Sequence, residues 1–289
     1  MATTPRIVVE SIAELRSRLQ NQRETGLVPT MGALHAGHAK LIETARSESD
    51  CVVVSIFVNP LQFDRKDDLD RYPRSLDGDV ALCEKLGVDL IFAPSAVEMY
   101  PKPLICTVEV GRIGDHLCGP FRPGHFRGVA TVVMKLLQIV QPHRAYFGEK
   151  DAQQLAVIRR MVSDFNVPTA IVEVPTVREP DGLAMSSRNR HLSETQRRSA
   201  TVLYESLRTS AGMISAGERD AALIKKAATG GMTRMADVRL EYFDIVDPEE
   251  MQPVSRIEGP VRVAGAIWVG STRLIDNMLC APPVRPAVS

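Results

Sequence analysis

A doubly wound parallel α/β sheet followed by a smaller α+β unit is the fold class that this sequence predicts, on three observations. Short apolar runs alternate with segments of helical apolar spacing through the first half of the chain, which is the βαβ order of a parallel sheet. The run Cys51-Val-Val-Val-Ser-Ile-Phe-Val58 is β-branched and apolar on both faces, as an interior strand covered by helices must be. After about Thr176 the pattern changes to Arg- and Ser-rich helices and separate strands, which predicts domains at 1–176 and 177–289.

The elements follow in order. Leu27 to Thr30 reads as a strand, Ala36 to Glu48 as a helix, and Cys51 to Val58 as the next strand. Leu76 to Leu86 is helical and closed by Gly87; Asp89 to Ala93 is a strand closed by Pro94. Pro101 and Pro103 mark an irregular stretch, after which Val129 to Val140 repeats apolar residues at helical spacing. Ala145 to Phe147 is a short strand, Asp151 to Phe165 a helix, and Ala170 to Val174 the last strand of the sheet. In the second part, Glu194 to Ser215 and Arg219 to Ala228 read as helices, Val238 to Val246 and Val261 to Val269 as strands, and Pro282 to Ser289 as a frayed tail. Right-handed crossovers then bring the loops after Thr30, Val58 and Phe147 to the carboxyl edge of the sheet, where such folds bind ligands.

Composition narrows the partners. A chain of 289 residues, 44% hydrophobic, can bury full cores in two domains. Lys plus Arg and Asp plus Glu both number 35, so the broad positive field that nucleic-acid binding generally needs is missing and small molecules are the expected partners. The 5 cysteines are scattered without a CxxC pair and predict no disulfide framework. The first residues lack an apolar signal core and no apolar run is long enough to cross a bilayer, so cytoplasmic residence is expected.

Val28-Pro-Thr-Met-Gly-Ala-Leu-His-Ala-Gly-His38 carries the most chemistry. It runs from strand to helix, and a helix N-terminus offers unpaired N–H groups and a positive dipole end to a phosphate. Gly32 and Gly37 would let the ligand approach the backbone, with His35 and His38 facing the same phosphate. Two histidines at this spacing are also possible metal ligands, although no HExxH pattern accompanies them, and an HxGH by itself also suits an ordinary surface turn. Phe147-Gly-Glu-Lys-Asp151 repeats the strand-to-helix geometry; Lys150 would contact phosphate and Asp151 a ribose hydroxyl or the lysine, unless the segment is only a charged helix start. Ala184-Met-Ser-Ser-Arg-Asn189 offers the hydroxyls of Ser186 and Ser187 and the guanidinium of Arg188, groups that suit a triphosphate and equally a capped loop. Gln62, just past the long apolar strand, would read a polar small molecule, joined by Gln153 and Gln154; surface exposure is their ordinary alternative. Arg122-Pro-Gly-His-Phe-Arg-Gly128 is a basic loop in which His125 receives no role from spacing.

Taken together and in this order, PTMGALHxGH, SIFVNPxQF, RYPR, RPGHFRGV, FGEKD and MSSRN resemble the pantothenate synthetase family, the pantoate–beta-alanine ligases, over roughly Val28 to Leu192 and more weakly to Asn277. The resemblance implies a Rossmann-like doubly wound sheet with a smaller α+β C-terminal lid domain, a homodimer, and two steps. ATP and pantoate would give pantoyl adenylate and pyrophosphate, and beta-alanine would then displace AMP, with Mg2+ accompanying the ATP. Carried over by motif, Met31, Gly32, Ala33, Leu34, His35, Ala36, Gly37 and His38 would hold ATP, His38 as a proton donor with His35, Lys150 and Arg188 beside it in catalysis. Gly148, Glu149, Lys150, Asp151, Val177, Met185, Ser186, Ser187 and Arg188 would complete the nucleotide site. Gln62 and Gln154 would bind pantoate, Gln62 would also meet beta-alanine, and Asp79, after RYPR, would help place magnesium. Ala152, Gly78 and His191 depart from the residues usual in such proteins, at positions with no proposed chemical role. HxGH is shared with nucleotidyl transferases that use a phosphate-bearing acceptor, but Gln62 and Gln154 suit the neutral body of a hydroxyacid more than a second phosphate. A non-catalytic nucleotide-binding module would not need His38, Lys150 and Arg188 together.

Overall fold

The computed structural model describes residues 7–232 and 235–283. The two ends of the chain, including most of the tail expected to fray, therefore lie outside the described residues. The chain divides into two compact units, Met1–Val110 with Arg122–Glu149 and Val157–Val177, and Gly111–Phe121 with Lys150–Ala156 and Arg178–Ser289. This is more interleaved than a single cut after Thr176. Side-chain amides account for part of the interleaving. Gln153 donates to the carbonyls of Ile113 (2.8 Å) and His116 (2.7 Å) and accepts from the Cys118 amide (2.9 Å). Asn277 donates to the Lys150 carbonyl at 2.9 Å.

The first unit holds a six-stranded parallel sheet in the order β1-β4-β3-β2-β5-β6, made of β1 (Val8–Val9), β2 (Thr25–Thr30), β3 (Cys51–Ile56), β4 (Leu90–Phe92), β5 (Arg144–Gly148) and β6 (Ala170–Val174). β3 is buried along nearly its whole length, with Val52, Val53 and Val54 wholly inaccessible, so its two apolar faces are the faces of the core. Leu41, Ile42 and Ala45 of α2 (Ala36–Glu48) join that core with Tyr146 of β5. The long amphipathic α6 (His125–Val140) buries most of its length and ends at Gln141 in the left-handed conformation. β2 pairs with β3 on one side and β5 on the other. The order therefore reverses between β2 and β5, which makes the ends of these two strands the topological switch point.

The second unit is built on an antiparallel sheet of β7 (Val238–Val246), β8 (Val261–Val269) and β9 (Thr272–Cys280). Leu203, Leu207 and Ile214 of α9 (Val202–Ser215) and Ile224 of α10 (Ala221–Thr229) pack with Phe243, Ile245, Val263 and Ile267 of the sheet. Gly265 is required at this contact, because a Cβ there would come within 2.7 Å of Leu203 and 2.8 Å of Phe243.

Several boundaries differ from the expected ones. The predicted helix Glu194 to Ser215 is two helices, α8 (Glu194–Ala200) and α9, meeting at Thr201, whose hydroxyl donates back to the Arg198 carbonyl and competes with the helical ladder. β9 is not among the expected strands, because Asp276 and Asn277 interrupt its apolar pattern, yet both are buried. β1, the helix α1 (Ile12–Leu19), capped by Ser11, and the short helices α3 (Lys66–Arg71) and α5 (Ala96–Met99) also lie outside the predicted elements, as does the start of α6 at His125, whereas α7 (Ala152–Asp164) falls within the expected helix Asp151 to Phe165.

Gly128 of α6 faces the turn that carries Gln62, and a Cβ there would lie 2.2 Å from the Leu61 carbonyl oxygen and 2.6 Å from the Gln62 amide nitrogen. These are backbone atoms that cannot swing aside. Gly128→Ala is expected to destabilise the protein by about 1–3 kcal/mol in urea unfolding; unchanged stability would show that α6 and the turn separate easily.

Candidate active site

In the first unit the turn leaving β2 is held at consecutive amides. Thr30 donates its hydroxyl to the Ser55 carbonyl (2.7 Å) and accepts from the Gly32 amide (3.2 Å). Gly32 and Ala33 follow in left-handed backbone, at φ 79° and 51°. The Ala33 and Leu34 amides donate to the two oxygens of Asp79, at 2.9 and 2.7 Å. His35 is then the N-cap of α2: its Nδ1 accepts from the Gly37 amide (3.1 Å), while His38 Nδ1 accepts from the His35 amide (3.3 Å). An amide N–H can only donate, so each neutral ring carries its proton on Nε2. The ring centroids are 4.2 Å apart. The turn thus sets two adjacent Nε2–H donors at the start of a helix.

Asp79, expected to help place magnesium, lies behind this turn. It is 3% exposed in the first turn of α4 (Leu76–Lys85) and spends both oxygens on backbone amides. Gly32, expected to let a ligand approach the backbone, also makes room for that carboxylate, since a Cβ would lie 2.9 Å from Asp79 Oδ2.

Gln62 is buried in the 3-10 turn Pro60–Gln62 that follows β3. Its Oε1 accepts from Asn59 Nδ2 (3.1 Å), which also donates to the Gly128 carbonyl. Asn59 Oδ1 in turn accepts from the Tyr100 hydroxyl at 2.8 Å. Burial pushes the Tyr100 phenol up to about 12, so it keeps its proton and remains the donor. The chain of donors fixes the Gln62 amide with its NH2 group as the remaining donor, directed at Met31 Sδ at 3.1 Å. His125 also acquires an account here. Arg122 faces its Nε2 at 3.1 Å and can only donate, so His125 Nδ1 donates to the Gln62 carbonyl at 2.8 Å. Asn59, Tyr100, Arg122 and His125 are not among the expected site residues; the motifs containing Asn59 and the basic loop are the available signals.

In the second unit, one pocket is lined by Lys150, Ser186, Arg188, Asn189, Tyr204 and Asp276 among others. It brings together three of the groups predicted to contact phosphate, from two distant segments. Ser186 caps the 3-10 turn Ser187–His191, its hydroxyl accepting from the Arg188 amide. Asn189 ties that turn to Glu179 and the Ala184 carbonyl. Lys150 pairs with Asp151 at 3.7 Å, and its carbonyl is held by Asn277, itself bonded by Arg262 at 2.5 Å. Gln153, expected to join the substrate readers, is buried and spends its amide on three backbone groups, whereas Gln154 is partly exposed.

Asp276 of the lining is held by Arg178. The guanidinium bonds both carboxylate oxygens (2.6 and 3.0 Å), donates to the Gly182 carbonyl and lies 4.4 Å over the Tyr204 ring. Burial raises the Asp276 pKa, and the bonds and charge of Arg178, with the charge of Lys150, oppose that rise. Neither residue belongs to a motif that sequence patterning singles out.

The family model described as pantoate-beta-alanine ligase matches residues 7–279. The chain is 51% identical to a pantothenate synthetase of Thermotoga petrophila, over 94% of this chain and 99% of that protein. It is 53% identical to a bifunctional pantoate ligase/cytidylate kinase of Synechococcus elongatus, over 93% of this chain but only 51% of that longer protein. The crystal structure of pantothenate synthetase from Thermus thermophilus superposes with a TM-score of 0.90 at 47% identity, covering 94% and 98% of the two chains. A pantoate-beta-alanine ligase from Francisella tularensis, complexed with beta-gamma ATP and beta-alanine, gives 0.78 at 37% identity, covering 94% and 97%.

Truncating Asp276 would leave the Arg178 guanidinium partly buried without its carboxylate. Asp276→Ala is expected to cost about 3–5 kcal/mol, and Asp276→Asn less, in denaturant titrations. Equal, small losses would mean that solvent already screens the pair.

Proposed function

The chain belongs to the pantoate–beta-alanine ligase family and is an ATP-using enzyme that joins pantoate to beta-alanine; we propose that it does so through pantoyl adenylate, on the residues described above. A pantoate carboxylate oxygen attacks the α-phosphorus of ATP, and the bond to the bridging oxygen breaks to release pyrophosphate. The amine of beta-alanine then attacks the acyl carbon, the bond to the phosphate oxygen breaks, AMP leaves and the amine gives up a proton.

Neither step needs covalent help from the protein, so acceleration rests on alignment and on charge placed around the phosphates. The observation that carries this reading is the pocket that Lys150, Ser186 and Arg188 line together. An ammonium, a hydroxyl and a guanidinium are anion-binding groups, and their worth grows as pyrophosphate gains charge on leaving. In the same reading the turn Met31 to His38 holds the phosphates, with the Nε2–H groups of His35 and His38 as hydrogen-bond donors and His38 stabilising the charge that develops on the departing oxygen. Gly148, Glu149, Asp151, Val177, Met185 and Ser187 complete the nucleotide site. Gln62 binds pantoate through its NH2 group, which matches an acceptor such as a carboxylate or hydroxyl oxygen, and Gln154 assists.

Magnesium fits this reading as a companion of the nucleotide. Among the described residues no group of three or more His, Cys, Asp or Glu is placed to hold a metal. Magnesium characteristically takes substrate phosphates and waters with few carboxylates, and when bound it would neutralise phosphate charge. The second unit's task is to keep water from the adenylate. A homodimer in the cytoplasm completes the proposal; no helix among the described residues is long and apolar enough to cross a membrane.

His38→Ala and Lys150→Ala are each expected to keep the fold and lose adenylate formation about a hundredfold or more. The measurement is pyrophosphate release from ATP and magnesium with pantoate, with and without beta-alanine. A stoichiometric burst with pantoate alone, turning to steady AMP and pantothenate production on adding beta-alanine, supports the two-step scheme. Normal rates in either variant, or pyrophosphate release that ignores pantoate, would refute it.

A further inference from the structure

We propose that Asp79 is a positioning residue for the phosphate-binding turn and not a ligand of magnesium, an inference that rests on the assignment of Met31 to His38 to ATP. The two oxygens of this carboxylate take two consecutive backbone donors, Ala33 N at 2.9 Å and Leu34 N at 2.7 Å. Successive amides converging in this way make an anion-binding nest, and here the nest is filled by the protein's own side chain. The Ala33 and Leu34 amides are therefore bonded to Asp79 and are not phosphate donors.

Three features make the carboxylate necessary to the turn. Ala33 has φ 51°, a left-handed conformation that its Cβ disfavours, so a partner has to hold it there. Gly32 clears the space, since a Cβ would meet both Asp79 Oδ2 (2.9 Å) and Ile56 (3.1 Å). The next amide along, His35 N, donates to His38 Nδ1, so a shift at Leu34 passes directly to the ring that faces the nucleotide. A cation approaching Asp79 would meet the positive ends of two N–H dipoles already aimed at its oxygens, in a residue only 3% exposed. That is a poor place for magnesium, which prefers open octahedral coordination with several waters.

Asp79→Asn in the full-length protein separates the possibilities. An amide has one oxygen and would turn its NH2 group toward one of the two backbone donors, so half of the clamp is lost. If the negative charge were all that mattered, its removal would tighten binding of a polyanionic nucleotide without slowing chemistry. Positioning predicts instead that pantoyl adenylate formation at saturating substrates falls about tenfold to a hundredfold. Aminolysis of supplied pantoyl adenylate by beta-alanine changes much less. Half-saturation by Mg2+ stays within about twofold of the parent, as a group bonded only to the backbone requires. Hydrogen exchange, read by NMR, becomes faster at the Ala33 and Leu34 amides.

An unchanged adenylation rate overturns the inference, and so does a raised Mg2+ requirement whose supply restores the rate. If Asp79→Asn does not fold, combining it with Ala33→Gly, which relieves the left-handed strain, carries the test. Folding with unchanged Mg2+ half-saturation supports positioning; a double variant that still fails to fold overturns it, because Asp79 would then serve the fold at large. His38→Ala, assayed in parallel, keeps the two readings apart. Normal adenylation in His38→Ala removes the ATP assignment itself, whereas loss there with a normal Asp79→Asn removes only this inference.

Discussion

Polar groups taken out of water must find partners, and in both units that requirement decides where the functional side chains stand. Asp79 is buried with two amide donors, Asn59 with a tyrosine hydroxyl, a glutamine and a carbonyl, and Asp276 with a guanidinium. Asp79 and Asn59 lie one bond behind groups assigned to substrate, and Asn277, next to Asp276, lies one bond behind Lys150. The geometry of His38, Gln62 and Lys150 is thereby inherited from buried neighbours and not from the flexible reach of their own side chains. Breaking such a contact leaves an unpaired buried group, so the arrangement resists drift.

The sheet decides which loops take part. Reversal of strand order between β2 and β5 makes their carboxyl ends the switch point, and the chain leaves those ends as Met31 to His38 and as Glu149. β3, beside β2, delivers Asn59 and Gln62 from the same edge. Three motifs far apart in sequence, PTMGALHxGH, SIFVNPxQF and FGEKD, are in this way exits from parallel strands on one sheet. In the second unit an antiparallel sheet serves a different purpose: β9 carries Asp276 and Asn277 inward, where one anchors Arg178 and the other holds the carbonyl of Lys150.

What is legible in the chain follows from how local each signal is. The apolar run of β3, the helical spacing of α2 and the order of the motifs are local patterns, and a chain with them has few alternative folds. The two histidines at the start of α2 are likewise legible, because capping involves only residues a turn apart. β9 escapes pattern reading because its polar centre looks like an interruption until the guanidinium of Arg178 and the carbonyl of Lys150 are brought against it. The helix ending at Ser215 reads as one for the opposite reason: apolar periodicity continues through Thr201 while the backbone does not.

By itself the sequence determined the fold class, the family and the set of motifs here proposed to meet a nucleotide, since these depend on periodicity, spacing and residue type. Tertiary structure alone decided what each polar side chain does. Asp79 and Gln153 read as acidic and amide groups available to ligands, yet both are consumed by backbone atoms contributed from elsewhere in the chain. His125, without a role on spacing, supports Gln62 across more than 60 residues of sequence. Hydrogen-bond partners at such separations are fixed only when burial removes water as a competitor, and no local pattern records which partner will be there.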